Sequence, residues 1–363
     1  TNGVYDAGGR VAPGDATLKT RLIITNAITV ISVNGPDSTL IVGQPHASAT
    51  GLGDTAVRGV YLTNNAVLAG FTVSNGFTRG PGTAATASYV GGGIRCDNAA
   101  ALVSNCVIVA NAANARGGGV HFGTLVDCVV VSNAVLGTTS TSAGGGGVYQ
   151  TVARRTRIER NWTQGSSMDG GGAYGGALTD CIVVSNTAAR NGGGAYASGL
   201  TNCTLEANFA SNSGGGAYTA AAATNTVFRG NTAVTSGGGV YQGFLVDCQI
   251  VSNRVTSTGG DGGGFYGSAA GHRLLGCLVL GNETPDLGGG VYNAALSNCV
   301  VRGNRATGAS ATTGSGGGVY ATAVTYPASR CYILDNEANY RGGGAYQGAF
   351  YSCVFSGNSA SEG

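Results

Sequence analysis

Apolar and polar positions alternate along this chain in short segments, with no stripe at helical spacing. Segments such as "CVIVAN" (106–111), "CVVVSN" (128–133), "CIVVSN" (181–186) and "CVVRGN" (299–304) carry an apolar residue two positions after the cysteine. That position holds Ile108, Val130, Ile158, Val183, Leu205, Phe228, Ile250, Val279, Val301, Ile333 and Phe355, mostly β-branched or aromatic. Its neighbours are mixed: Val107, Arg157, Thr204 and Gln249 before it, Val109, Glu159, Glu206 and Arg302 after it. A period of two with one apolar face predicts β-strands buried on one side. Glycine is too dense for stable helices, so the predicted class is all-β.

The strands belong to a repeat. Three glycines, an apolar residue and usually a tyrosine recur as "GGGVYQ" at 145, "GGGAYG" at 170, "GGGAYA" at 192, "GGGAYT" at 214 and "GGGVYQ" at 237. The pattern continues as "GGGFYG" at 262, "GGGVYN" at 288, "GGGVYA" at 316 and "GGGAYQ" at 342, with early copies "GGGIRC" at 91 and "GGGVHF" at 117. The shortest start-to-start distance is 22 residues. After each copy, a cysteine precedes an asparagine by five residues, with Thr156 and Thr226 replacing it twice. Length varies only between tyrosine and cysteine and between asparagine and the next glycines, which marks those two places as surface loops. Units of this size cannot bury a face alone, so the prediction is a solenoid whose coils pair in parallel about 4.8 Å apart, roughly 14 coils in all. Residues 1–56 are expected to form an N-terminal cap and first coils, and 57–363 one continuous solenoid of repeats.

The paired signature of GGx-apolar and [FVIL]xxN, as in "FRGN" (228–231), "ILDN" (333–336) and "FSGN" (355–358), resembles the repeats of chlamydial polymorphic outer-membrane proteins and autotransporter passengers. The resemblance covers residues 91–358 and implies a right-handed parallel β-helix of the pectin-lyase type. The opening section is similar to the first coils of secreted β-helix proteins. Lyases, hydrolases, adhesins and phage spikes share this fold, so it does not settle function.

Each repeated residue has a structural reading. Asn111, Asn133, Asn161, Asn186, Asn208, Asn231, Asn253, Asn282, Asn304, Asn336 and Asn358 are expected to form an axial ladder of amide hydrogen bonds. The glycines are expected to serve a left-handed turn or a close approach of coils. Cys106, Cys128, Cys181, Cys203, Cys248, Cys277, Cys299, Cys331 and Cys353 share the inward parity and should stack as reduced, buried thiols, axial disulfides being the alternative. Tyr149, Tyr174, Tyr196, Tyr218, Tyr241, Tyr266, Tyr292, Tyr320 and Tyr346 are expected to face outward as a stripe, extended by His121 and Arg95. Ring stacking explains such a stripe; an exposed platform for sugar rings is the functional alternative.

Candidate chemistry is sparse. Charged residues are 10% of the chain, Lys19 is the sole lysine and the net charge is +2, which offers no footprint for nucleic acid. No apolar run approaches the ~18 residues of a membrane helix. Glu159 and Glu206 share an outward repeat position two coils apart, roughly 10 Å, the outer edge for an inverting carboxylate pair. Arg229 lies one coil beyond Glu206, and Asp127, Arg155 and Asp180 form an alternating column, so surface ion pairs are the simpler reading. Arg155 and Arg157, in "ARRTRIER" (153–160), are candidates for an acidic glycan. An ice-binding threonine array is disfavoured, because threonines gather in loops such as "TTSTS" (138–142). His46, His121 and His272 lie in separate segments; no metal or cofactor is expected.

The sequence therefore reads as a secreted or surface-displayed structural, adhesin-like β-helix protein without catalysis. The alternative is a protein that binds or degrades polysaccharide. Expected partners are a cell-surface glycan or host surface, and a second copy stacked head to tail.

Overall fold

One turn shows how the repeat folds. After Gly117–Gly119 the chain runs through the strands Val120–His121, Thr124–Val126, Val129–Val131 and Ala134–Val135. The corners between them fall at Phe122, Asp127 and Ser132, all with positive φ (62°, 54° and 55°). A single left-handed residue turns the backbone sharply enough for the next strand to start on a new face. Each strand then pairs in parallel with its counterpart one repeat later: Val120↔Val148, Thr124↔Val152, Val129↔Arg157, Ala134↔Trp162.

The structure, a computed structural model, describes residues 2–80, 86–137, 143–268, 271–310 and 312–362. The threonine-rich loop 138–142 lies outside them. Two compact units, Thr1–Arg190 and Asn191–Gly363, make up the chain, and each is a parallel β-solenoid. In the first unit parallel pairing begins within the segment expected as cap and first coils: Gly3–Tyr5 pairs with Thr39–Val42, and Lys19–Ile24 with Val57–Leu62. Arg10–Val11 folds back antiparallel on Lys19–Thr20. In the second unit the same register runs from Thr204–Glu206 against Val227–Arg229 to Tyr332–Leu334 against Val354–Ser356. Strands after the asparagine start only at Ala112–Ala113. Among the described residues, seven strands of the cysteine-to-asparagine segment or its early equivalents stack in each unit, in line with the roughly 14 coils expected, whereas the strand after the asparagine is present on 11 of them.

The inward column predicted from parity is buried: Ile108, Val130, Ile158 and Val183 in the first unit and Leu205, Phe228, Ile250, Val279, Val301 and Ile333 in the second are fully enclosed. Phe355, on the last described turn, departs from this at 46% exposure.

The glycine triplet is a packing requirement. Gly117 has φ of +59°. A Cβ on Gly118 would collide with the Ala134 carbonyl, and one on Gly119 would lie 2.7 Å from Gly147 O and 3.0 Å from the Asn133 amide carbon. The third glycine therefore rests directly on the asparagine that closes its own turn and on the backbone of the next.

That asparagine does what the ladder reading predicted. Asn253 Nδ2 donates to the Phe228 carbonyl (2.9 Å) and to Asn282 Oδ1 (2.9 Å), and its backbone N–H also donates to Asn282 Oδ1 (2.9 Å). Its own Oδ1 accepts from the backbone N–H and Nδ2 of Asn231, at 2.9 and 3.0 Å. The first unit repeats this through Asn111, Asn133, Asn161 and Asn186, the second from Asn208 to Asn358.

Asn253→Ala strands buried donors and acceptors on both neighbouring turns, each worth about 1–3 kcal/mol when unsatisfied. We expect a loss of about 3 kcal/mol or more in urea unfolding. Gly239→Ala should cost at least as much, because its Cβ would sit 2.7 Å from Gly264 O and 2.9 Å from Asn253 Nδ2.

Candidate functional site

The tyrosines form the stacked columns expected, and not the alternative of an exposed platform. In the second unit Tyr196, Tyr218, Tyr241, Tyr266, Tyr292, Tyr320 and Tyr346 stack with centroids 4.5–5.4 Å apart and planes within 12°. In the first unit His121 stacks on Tyr149 at 5.3 Å, and Tyr149 on Tyr174 at 5.1 Å. Each ring face is covered by the next ring, and the rings are half-buried, Tyr149 being only 5% exposed. Sugar stacking needs an open face, so within these columns only ring edges remain. At the spacing of successive turns no gap is left between the rings, as stacking requires. Tyr61 is a member the sequence reading missed: it pairs in register with Arg95, whose guanidinium lies 5.0 Å over its ring. The "GVY" of "RGVYL" (58–62) was the available signal.

The charged candidates are engaged. Glu159 pairs with Arg157 and, at 2.9 Å, with Arg160. Arg155 makes a two-pronged contact with Asp127, at 2.7 and 3.0 Å. Glu206 pairs with Arg229 at 2.7 Å. Glu159 and Glu206 lie in different units. Ion pairing thus accounts for both glutamates, and Arg155 and Arg157 are held by carboxylates of their own surface.

The cysteine columns are buried, apart from the half-buried Cys353, and Cys96, Cys106, Cys128, Cys248, Cys277, Cys299, Cys331 and Cys353 are free thiols. Cys128 Sγ donates to the Val103 and Val126 carbonyls at 3.4 and 3.3 Å. Burial pushes the thiols of Cys96 and Cys128 up to about 12, so they stay protonated and unreactive.

What the surface does offer is a groove in the second unit, of about 590 Å³. From tyrosine to cysteine most turns take seven residues, as from Tyr292 to Cys299, but Tyr266 to Cys277 and Tyr320 to Cys331 take eleven. Two long loops therefore flank a tight turn, whose strand Ala295–Ser297 lines the groove with Leu274 and Leu275. Phe244, Tyr326 and Tyr351 contribute rings, Phe244 being 42% and Tyr351 61% exposed. Exposed Arg273 has no carboxylate partner among the described residues, and no acid is among the described lining residues. His272 Nδ1 accepts from the Gly243 N–H at 3.3 Å, and burial lowers its pKa, leaving a neutral imidazole. The length difference between adjacent turns was visible in the sequence; which loops would face each other was not.

Strands stacked in parallel, turn upon turn, make the chain a parallel β-helix repeat protein. A family profile described as "right handed beta helix region" matches residues 147–306. No curated protein sequence matches the chain. Among the described residues, no helix is long and apolar enough to cross a membrane.

His121 supplies a pH test of the first unit's column. It is buried, and desolvation first, then the charges of Arg116, Arg95 and Arg58, lower its pKa to about 3. An unfolded chain's imidazole takes a proton near 6.5, so stability is complete above that pH and falls as pH drops toward 3. His121→Tyr should continue the stack and flatten this acid limb in urea titrations at pH 4 and 7. An unchanged limb would mean that other groups set it.

Proposed function

We propose that this protein is a non-catalytic, adhesin-like β-helix scaffold, secreted or displayed on a cell surface, which holds its ligand in the groove of the second unit. The observation that carries the reading is the contrast between the repeat columns and the groove. Asparagines, tyrosines and the charged candidates of the columns are used up in contacts with one another, whereas the groove presents exposed rings and an unpaired cation. The likeness of the repeats to those of bacterial surface proteins supports the extracellular placement.

A second reading, polysaccharide recognition, is favoured by the open faces of Phe244 and Tyr351 beside Arg273. Aromatic faces suit the C–H surface of a sugar, and a guanidinium suits its carboxylate or sulfate. Catalysis is disfavoured because Glu159 and Glu206 are committed to ion pairs.

A glycan array with a depolymerisation assay on uronic-acid polymers separates these readings. We expect no turnover, and any glycan binding to weaken about tenfold (about 1.4 kcal/mol) in Tyr351→Ala and in Arg273→Ala. Turnover that disappears in Glu159→Gln or Glu206→Gln would overturn the non-catalytic reading. Binding that survives both groove substitutions would remove the groove from it.

A further inference from the structure

The corner that precedes each glycine triplet in the second unit carries a feature the repeat does not require. Asp261, Leu287 and Ser315 hold equivalent positions on successive turns, tied by Gly262 N–H to Leu287 O (2.9 Å) and Gly288 N–H to Ser315 O (3.0 Å). The Leu287 N–H donates to Asp261 Oδ1 at 3.2 Å, which brings the Asp261 carboxylate to the peptide joining Asp286 and Leu287. From the other side, the Gly314 N–H donates to the Asp286 carbonyl at 2.9 Å, setting Ser315 alongside Asp286. Thr284 Oγ1 accepts from the Asp286 N–H at 3.2 Å and holds this bend in shape.

Two oxygens here are enclosed without a partner: Asp286 Oδ1, in a residue 8% exposed, and Ser315 Oγ, in a residue wholly buried. A buried polar atom left unsatisfied costs about 1–3 kcal/mol, so such atoms point to something bound. A water molecule would serve the hydroxyl but would leave the charges of Asp261 and Asp286 uncompensated. Among the described residues, Asp286 Oδ1 has neither a hydrogen bond nor a cation beside it. Asp261 is half-buried, which leaves a route in and room for water on that side.

We propose that Asp261, Asp286 and Ser315 form a site for a hard divalent cation of the calcium class, at the corner before the glycine triplets of the second unit. The donors are all oxygen, which selects against soft thiolate-seeking metals. Two carboxylates and a hydroxyl supply part of the six to eight oxygens calcium takes, and water on the open side completes the shell. The site is too enclosed at Asp286 for a polymer, so it is distinct from the groove and stands or falls separately from the proposed function.

Terbium is the probe, because Tyr266 and Tyr292 lie close enough to feel the Asp261 charge and can sensitise its emission. Tyrosine-excited terbium emission should saturate below about 1 mM, be displaced by calcium, and require at least tenfold more terbium in Asp261→Asn and Asp286→Asn. Calcium at 10 mM should raise the melting temperature of the natural chain by about 2 °C or more and leave those variants unmoved. Without calcium both variants should melt at or above the natural chain, since a like charge is gone; this shows that they fold. Emission that never saturates, or is the same in Asp286→Asn, would overturn the site.

Discussion

Everything in this fold depends on how closely one turn can lie on the next at the asparagine corner. Parallel strands require about 4.8 Å between neighbours, and at that spacing a corner has no room for water to satisfy its peptides. The asparagine side chain replaces the water: it donates to a carbonyl on the turn before, and donates to and accepts from the asparagines on either side. The third glycine lies against that amide, as Gly239 does against Asn253, with no space for a Cβ. Asparagine and glycine are one device. Their invariance along the repeat follows from geometry.

Once that corner is fixed, the other columns follow. Side chains at equivalent positions are set one strand spacing apart, so like stacks on like. Thiols line the interior, tyrosines cover one another face to face at 4.5–5.4 Å, and opposite charges pair between turns, as Asp127 does with Arg155 and Glu206 with Arg229. A column of identical groups is a stabilising element, and it hides the faces that a ligand would need. Distinctive chemistry is left to positions where the repeat is broken: the long loops after Tyr266 and Tyr320, and the acidic corner at Asp261 and Asp286.

This explains what could be read from the residues alone. The strand class, the inward cysteines and the asparagine ladder were legible because each depends only on period and parity. The tyrosine columns were legible as a stack, since parity put the rings on one face and the coil spacing set them ring on ring; how far each stack covers its own faces depends on the exact ring spacing, which residue types alone do not give. The left-handed corners were marked but not read: Gly276, Asn105, Asn202 and Asn298 occupy the column of Asp127, and Gly230, Gly281 and Gly303 that of Ser132, while residues such as Arg155 obscure the pattern. The groove escaped because it comes from two loops flanking the short turn between Tyr292 and Cys299, a relation between turns that no single repeat displays. Asp286 lies in one of the variable segments and has no counterpart to mark it.

Amide hydrogen exchange tests the central claim most directly. If the axial asparagine bonds hold the turns together, the backbone N–H groups of Asn231, Asn253 and Asn282, each bonded to the next asparagine's Oδ1 at 2.9 Å, should be among the slowest to exchange in the second unit, as slow as the core strand amides beside them. Exchange of these three amides at the rate of the surface loops, with the core strands still protected, would contradict it.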